Sequence, residues 1–263
     1  MQKLYYILIV ALTTLVTSCF HSSGKDEDAT AIPDTLKVAV ELSSMTLNTA
    51  GDTISGFSFE VLQRISGEHN LPLKVTAFNN IEEALAENNR AMFDIFVSNI
   101  PITSDLREHY LVTTPLFTDR QVLVQNIETQ TDSLITTPAQ LDCRPVWVPQ
   151  RSAIIDRMEN LASETGTDII IIPVDDITEE QLVILVSLGE IPRGVASEST
   201  ALALIDQYPQ LNIDTKLSFN QFRSWILNPA DTVLRDSLDS WITDFKDTPE
   251  YVTLEKKYKI RNP

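Results

Sequence analysis

Short apolar runs that alternate with helix-period stripes constrain this chain more than any other feature. Residues 36–40 (LKVAV) and 73–78 read as strands, and residues 93–98 as a strand apolar enough to be buried in a sheet. Between the first two, Phe57, Val61, Leu62 and Ile65 fall at i, i+4, i+5 and i+8, one face of a helix. Between the next two, Asn80 opens a helix with Glu83 three residues on, a capping-box-like start, and Ile81, Ala84 and Leu85 form its stripe. This order predicts an α/β lobe with a mainly parallel sheet and right-handed crossovers.

A second series repeats the pattern. Residues 121–125 form a Val- and Leu-rich crossing strand, residues 134–141 a loop or short helix, and residues 145–148, 168–174 and 193–197 further strands. The intervening helices carry Ile154, Ile155, Met158 and Leu161, then Leu182, Leu185 and Val186 behind a Thr178–Gln181 cap, then residues 201–207. The chain returns to the first lobe through residues 211–219. Two helices close it, one starting at Asn228-Pro229 and one at Thr248-Pro249. Ligands in open α/β sheets bind at the carboxyl ends of strands. That makes Ser43 and Ser44, in the polar loop after the first strand, candidate contacts or ordinary loop hydroxyls. Ser152, at a strand-to-helix turn, is either a plain cap or an anion contact, and its position favours the contact.

The first 18 residues read as a signal peptide. Lys3 precedes a short apolar stretch, residues 4–16, which ends in small residues before Cys19. The ending Val16-Thr17-Ser18-Cys19 resembles the lipobox of bacterial lipoproteins, in which the Cys is acylated. Phe20 after it resembles the pattern sent to the outer membrane. Residues 19–34 read as a flexible tether. With Cys19 lipidated, Cys143 has no partner for a disulfide and reads as a passive, partly buried residue. A net charge of −17 argues against nucleic acid as a partner.

Three segments carry a family resemblance: residues 93–99 (FDIFVSN), 101–107 (PITSDLR) and 113–117 (TTPLF). In this order they resemble the bacterial extracellular solute-binding proteins of family 3, with their buried strand, their T-I-T-x-x-R loop and their F-S-x-P-Y-F segment. Residues 56–62, 218–225 and 248–258 resemble the family's helix entry, second hinge and closing helix. The resemblance implies a two-lobed type II periplasmic-binding-protein-like fold spanning residues 35–263. One lobe takes residues 35–123 and 219–263, the other residues 124–218. It also implies a small polar ligand (amino-acid-like, a peptide or a cell-wall fragment), an ABC permease as recipient, and a periplasmic location. The pattern from Asn99 to Gln125 is also similar to the non-catalytic N-terminal module of membrane-bound lytic transglycosylase F.

The matched loop contributes Ser98, Asn99 and Thr103 as implied ligand contacts. The family holds a ligand carboxylate with Arg, whose planar fork makes two charge-assisted bonds. Counting from Thr103 that Arg falls at Leu106, whereas Arg stands at 107. Arg107 therefore either reaches the cleft or pairs with Asp105 or Glu108 on a solvated turn. The family's second-lobe Asp aligns with Ser197, beside Glu198, and Arg151 is an additional cation that suits an anionic ligand. Three scattered His give no metal-ligand spacing, and no nucleophile elbow, phosphate loop or dinucleotide fingerprint occurs. The expectation is a binding protein without cofactor, not an enzyme.

Overall fold

A computed structural model describes residues 32–49, 54–129, 133–150 and 152–260. The expected signal peptide, Cys19, nearly all of the tether, and Arg151 lie outside the described residues. The first lobe begins with β1 (Leu36–Glu41), α1 (Phe57–Glu68), β2 (Leu73–Phe78), α2 (Glu82–Leu85), β3 (Ile95–Val97), α3 (Ser104–His109) and β4 (Leu111–Val112). The chain then crosses through β5 (Phe117–Asp119) into β6 (Gln121–Asn126), β7 (Pro145–Pro149), α4 (Ile154–Thr165) and β8 (Ile170–Val174). The second lobe continues with α5 (Glu179–Ser187), β9 (Arg193–Ser197), α6 (Glu198–Leu204) and β10 (Leu211–Lys216). It returns through β11 (Gln221–Arg223) to β12 (Ile226–Leu227), α7 (Thr232–Lys246) and α8 (Pro249–Lys257).

Each lobe has a five-stranded sheet, ordered β2-β1-β3-β12-β4 in the first and β10-β6-β9-β7-β8 in the second. β1 pairs in parallel with β2 and β3, and β7 with β8 and β9, as alternating strands and helices require. The returning strand β12 and the crossing strand β6 are antiparallel to their neighbours. A separate antiparallel ribbon, β5 against β11, links the lobes, with Phe117 opposite Arg223 and Asp119 opposite Gln221. This is the two-lobed α/β architecture expected from the sequence. The outward link lies earlier than expected. Residues 121–126 are buried throughout and paired on both edges, so they belong to the second sheet, and the chain passes between sheets at residues 117–119 and 221–223.

The central strands β1, β3, β6 and β9 alternate between two buried faces, the signature of a sheet covered on both sides. Val38, Val40, Ile95 and Val97 pack with Phe57, Leu62, Leu238 and Leu254, while Ala39 and Phe96 face Ile81 and Ala84. In the second sheet Val122 and Val124 face Leu182 and Val186, and Leu123 faces Val148 and Met158. Phe57 stands edge-on to Phe117, Tyr251 and Tyr258, with ring centroids 5.2, 5.8 and 5.9 Å away. The closing helix is thereby fastened to the start of α1, where the Gly56 N–H also donates to the Tyr258 hydroxyl at 2.6 Å.

Two caps form as the sequence predicts: the Thr178–Gln181 box at α5 and Thr248 with Pro249 at α8. Two others differ. Asn80 accepts from the Glu82 N–H at 2.8 Å, but α2 is a single turn in which Glu83 closes no box. Asn228 spends its amide on the carbonyls of Arg90 and Phe93, so residues 228–231 turn instead and α7 starts at Thr232. Cys143, expected to be partly buried, is exposed because it occupies a left-handed turn (φ 56°) before β7.

Candidate functional site

The carboxyl ends of β1, β3, β7 and β9 converge on a cleft of about 510 Å³ lined from both lobes. From the first lobe come Glu41, Ser43, Asn99, Thr103 and Leu106; from the second come Gln150, Ser152, Thr178, Glu179, Glu180 and Ser197. The strand-end rule that pointed to Ser43 is the reason: parallel strands all finish on the same side of their sheet.

The loop after β1 is held by α1. The first N–H groups of α1 have no partner within the helix, and those of Ser58 and Phe59 donate to the carbonyls of Met45 and Thr46 at 3.0 and 3.3 Å. Within the loop the Ser43 hydroxyl accepts from Thr46 N–H at 3.1 Å and lies 2.7 Å from the Thr46 hydroxyl. Ser44 instead reaches across the cleft. Its N–H and hydroxyl both donate to Glu180 Oε1, at 2.8 and 3.0 Å, which ties the first lobe to the start of α5.

Of the other residues singled out in the sequence, Asn99, Thr103, Ser152 and Ser197 also line the cleft. Thr103 caps α3 by accepting from Leu106 N–H at 3.2 Å, and Ser152 accepts from Ile154 N–H at 3.1 Å. Ser98 is buried beneath the lining, its hydroxyl without a partner. Arg107 is exposed on α3 and does not line the cleft; Leu106 does. On a helix successive residues point about 100° apart, so a single-residue displacement is enough to turn Arg107 away. Glu198 also lies off the lining, where Arg120 holds it through a two-pronged bond of 2.8 and 3.1 Å.

Sequence reasoning passed over the residues that dominate the electrostatics. Glu41 ends β1 and accepts from Asn99 N–H at 3.2 Å; Glu179, read only as part of a cap, accepts from Ser197 N–H at 2.8 Å. Burial pushes Glu41 up to about 7, with Glu179 and Glu180 adding repulsion, and burial likewise raises Glu179. Arg223, on the inter-lobe ribbon, is 1% exposed and 3.9 Å from Asp119, with no hydrogen-bond partner for its guanidinium nitrogens. Burial lowers its pKa, opposed by Asp119, Glu179 and Glu41. The available signal was position: an acid at the last residue of a buried parallel strand, and another at the first turn of a helix beside a strand end.

The raised Glu41 makes a pH prediction. A carboxyl that rises from an ordinary 4.5 to about 7 on folding favours the fold fully below pH 4.5 and loses that contribution as pH climbs through 7. Glu41→Gln keeps an acceptor for Asn99 and removes the charge. It should stabilise the protein at pH 8 by up to roughly 3 kcal/mol, and the gain should vanish near pH 4. Urea titrations at pH 4, 6 and 8 measure it; a difference that does not vary with pH would assign the titration elsewhere.

Two α/β lobes joined by a two-stranded ribbon, with a cleft at the strand ends, are the architecture of a type II periplasmic binding protein. The chain belongs to the bacterial extracellular solute-binding proteins, family 3, whose model matches residues 36–261. Among solved structures, an ancestral arginine-binding protein bound to arginine superposes with a TM-score of 0.71 at 14% identity, covering 87% of this chain and 99% of that one. An arginine transport periplasmic binding protein from Legionella pneumophila gives 0.69 at 17% identity, covering 85% and 99%. At these identities the likeness concerns the fold. A curated relative, membrane-bound lytic murein transglycosylase F of Shewanella pealeana, is 25% identical over 240 residues, 89% of this chain and 49% of the enzyme. The chain spans about half the length of that enzyme. Among the described residues no helix is long and apolar enough to cross a membrane.

Proposed function

We propose that this protein captures a small polar solute between its lobes, held to the envelope by a lipid on Cys19, and performs no catalysis of its own. The observation that carries the reading is the cleft lined from both lobes and bridged by Ser44 and Glu180, so that a ligand inside touches elements on either side of the ribbon. The solved neighbour bound to arginine supports a ligand of that size. A thermal-shift screen over amino acids, small peptides and muropeptides identifies the ligand by the stabilisation it brings. Small-angle scattering should then show a more compact liganded form, as closure about the ribbon requires. An unchanged profile at saturation would overturn the capture-and-close reading. Delivery to an ABC importer is the role we assign to the loaded form.

The relation to transglycosylase F favours a second reading, in which the cleft senses a cell-wall fragment without transport. Stabilisation by muropeptides but not by amino acids would select it. For the anchor, mass spectrometry of the native N-terminus should show a diacylglyceryl-modified Cys19, and a mature chain cut elsewhere and soluble without detergent would refute it.

A further inference from the structure

Every charged side chain among the described residues that line the cleft is a carboxylate. Glu41 from the first lobe and Glu179 and Glu180 from the second line its inner part, with exposed Glu82 and Asp156 also on its walls. No Lys or Arg among the described residues lines it. Arg223 lies close enough to influence Glu41 and Glu179, but it is sealed off on the ribbon with Asp119 beside it. The α3 residue that does face the cleft is apolar Leu106.

A second observation is independent of these charges. Gln121 lines the cleft, is 1% exposed, and its side-chain oxygen Oε1 has no hydrogen-bond partner. Asn99, also on the lining, has an unpartnered Oδ1. A buried amide oxygen left unpaired is costly, so a native site that keeps two of them favours an incoming donor. Metal coordination does not fit, because no group of three His, Cys, Asp or Glu among the described residues converges on one point.

From this geometry we infer that the cleft takes an organic cation, an amine or guanidine with no carboxylate of its own. The inference rests on the cleft being the ligand site, and adds the ligand's charge class. The cation's N–H groups donate to Gln121 Oε1, Asn99 Oδ1 and the Glu41 and Glu179 carboxylates. A ligand carboxylate would face those same carboxylates with no cation among the described lining residues to receive it. Binding also has a pH dependence of known sign. Glu41 faces Glu179 and Glu180 from α5, with Arg223 behind it on β11, and sits above the usual carboxylate range. A ligand cation favours its ionised form, so affinity should weaken as pH falls below 7.

Matched pairs test this directly by calorimetric titration: L-arginine against agmatine, and L-lysine against 1,5-diaminopentane, each pair differing by one carboxylate. The decarboxylated member of each pair should bind at least tenfold more tightly at pH 8, and weaken at least fivefold by pH 5.5. Glu41→Gln and Glu179→Gln should each weaken it tenfold or more, with urea midpoints at pH 8 no lower than those of the parent. Arg107→Ala should leave it within twofold. Amino acids that bind as tightly as their decarboxylated partners would overturn the charge-class inference while leaving solute capture intact. Failure of agmatine and diaminopentane to bind would overturn it too, and the thermal-shift screen would then decide independently whether the cleft holds any solute.

Discussion

Gly56→Ala should destabilise the protein by roughly 2–6 kcal/mol, from strain at a backbone conformation closed to L side chains plus overpacking. Gly56 has φ 134°, and a Cβ there would lie 2.2 Å from the Thr46 carbonyl oxygen and 2.6 Å from its carbon. Both are backbone atoms, so no side-chain rotation relieves the clash. The loop at 45–46 or the start of α1 must move, and each depends on the other: Met45 and Thr46 carbonyls take the N–H groups of Ser58 and Phe59, while Gly56 N–H holds Tyr258. Alanine's smaller unfolded-state entropy offsets under 1 kcal/mol of this. The same displacement would disturb Ser44, so the contact to Glu180 should weaken along with the fold. Urea unfolding monitored by tryptophan fluorescence measures the cost. A loss below 1 kcal/mol would show that the loop relaxes freely and does not position the cleft.

Glu198→Ala should cost about 3–5 kcal/mol, because it strands a charge that is largely out of water. Arg120 and Glu198 have side chains 17% and 8% exposed and share two charge-assisted bonds; the Glu198 N–H also donates to the Arg120 carbonyl at 2.8 Å. The pair clamps the first residue of α6 to the residue between β5 and β6, where the chain leaves the ribbon. Replacing both with apolar residues, Arg120→Met with Glu198→Leu, should recover most of the loss, since desolvation of the pair offsets much of its attraction. A double-mutant cycle in urea gives the coupling. If the single and double variants were equally unstable, packing around α6, and not the ion pair, would set the cost.

These two positions show different kinds of legibility. Gly56 was read as part of a helix entry, but nothing in its neighbours indicated that Thr46, ten residues earlier, would press against it. Glu198 was read as a ligand contact because it adjoins Ser197, with which the family's second-lobe Asp aligns. The partner that claims it, Arg120, is 78 residues away. Arg107 lies off the lining for a more local reason: it sits one residue past Leu106 on a helix, and that one step separates the cleft from solvent.

The sequence by itself determined the alternation of strands and helices, the burial of the strand at 93–98, the Thr178 and Thr248 caps and the family. Each of these depends on residues a few positions apart, where periodicity and hydrogen bonds to near neighbours decide the outcome. Only the tertiary structure decided the character of the cleft. Glu41, Gln121 and the Glu179–Glu180 pair come from β1, β6 and α5, and each is unremarkable among 37 acidic residues or as a single amide. Their chemistry arises from convergence. Burial removes the water that would screen them, so neighbours set by the sheet order, and not by the chain, fix which groups carry charge and what a ligand must supply.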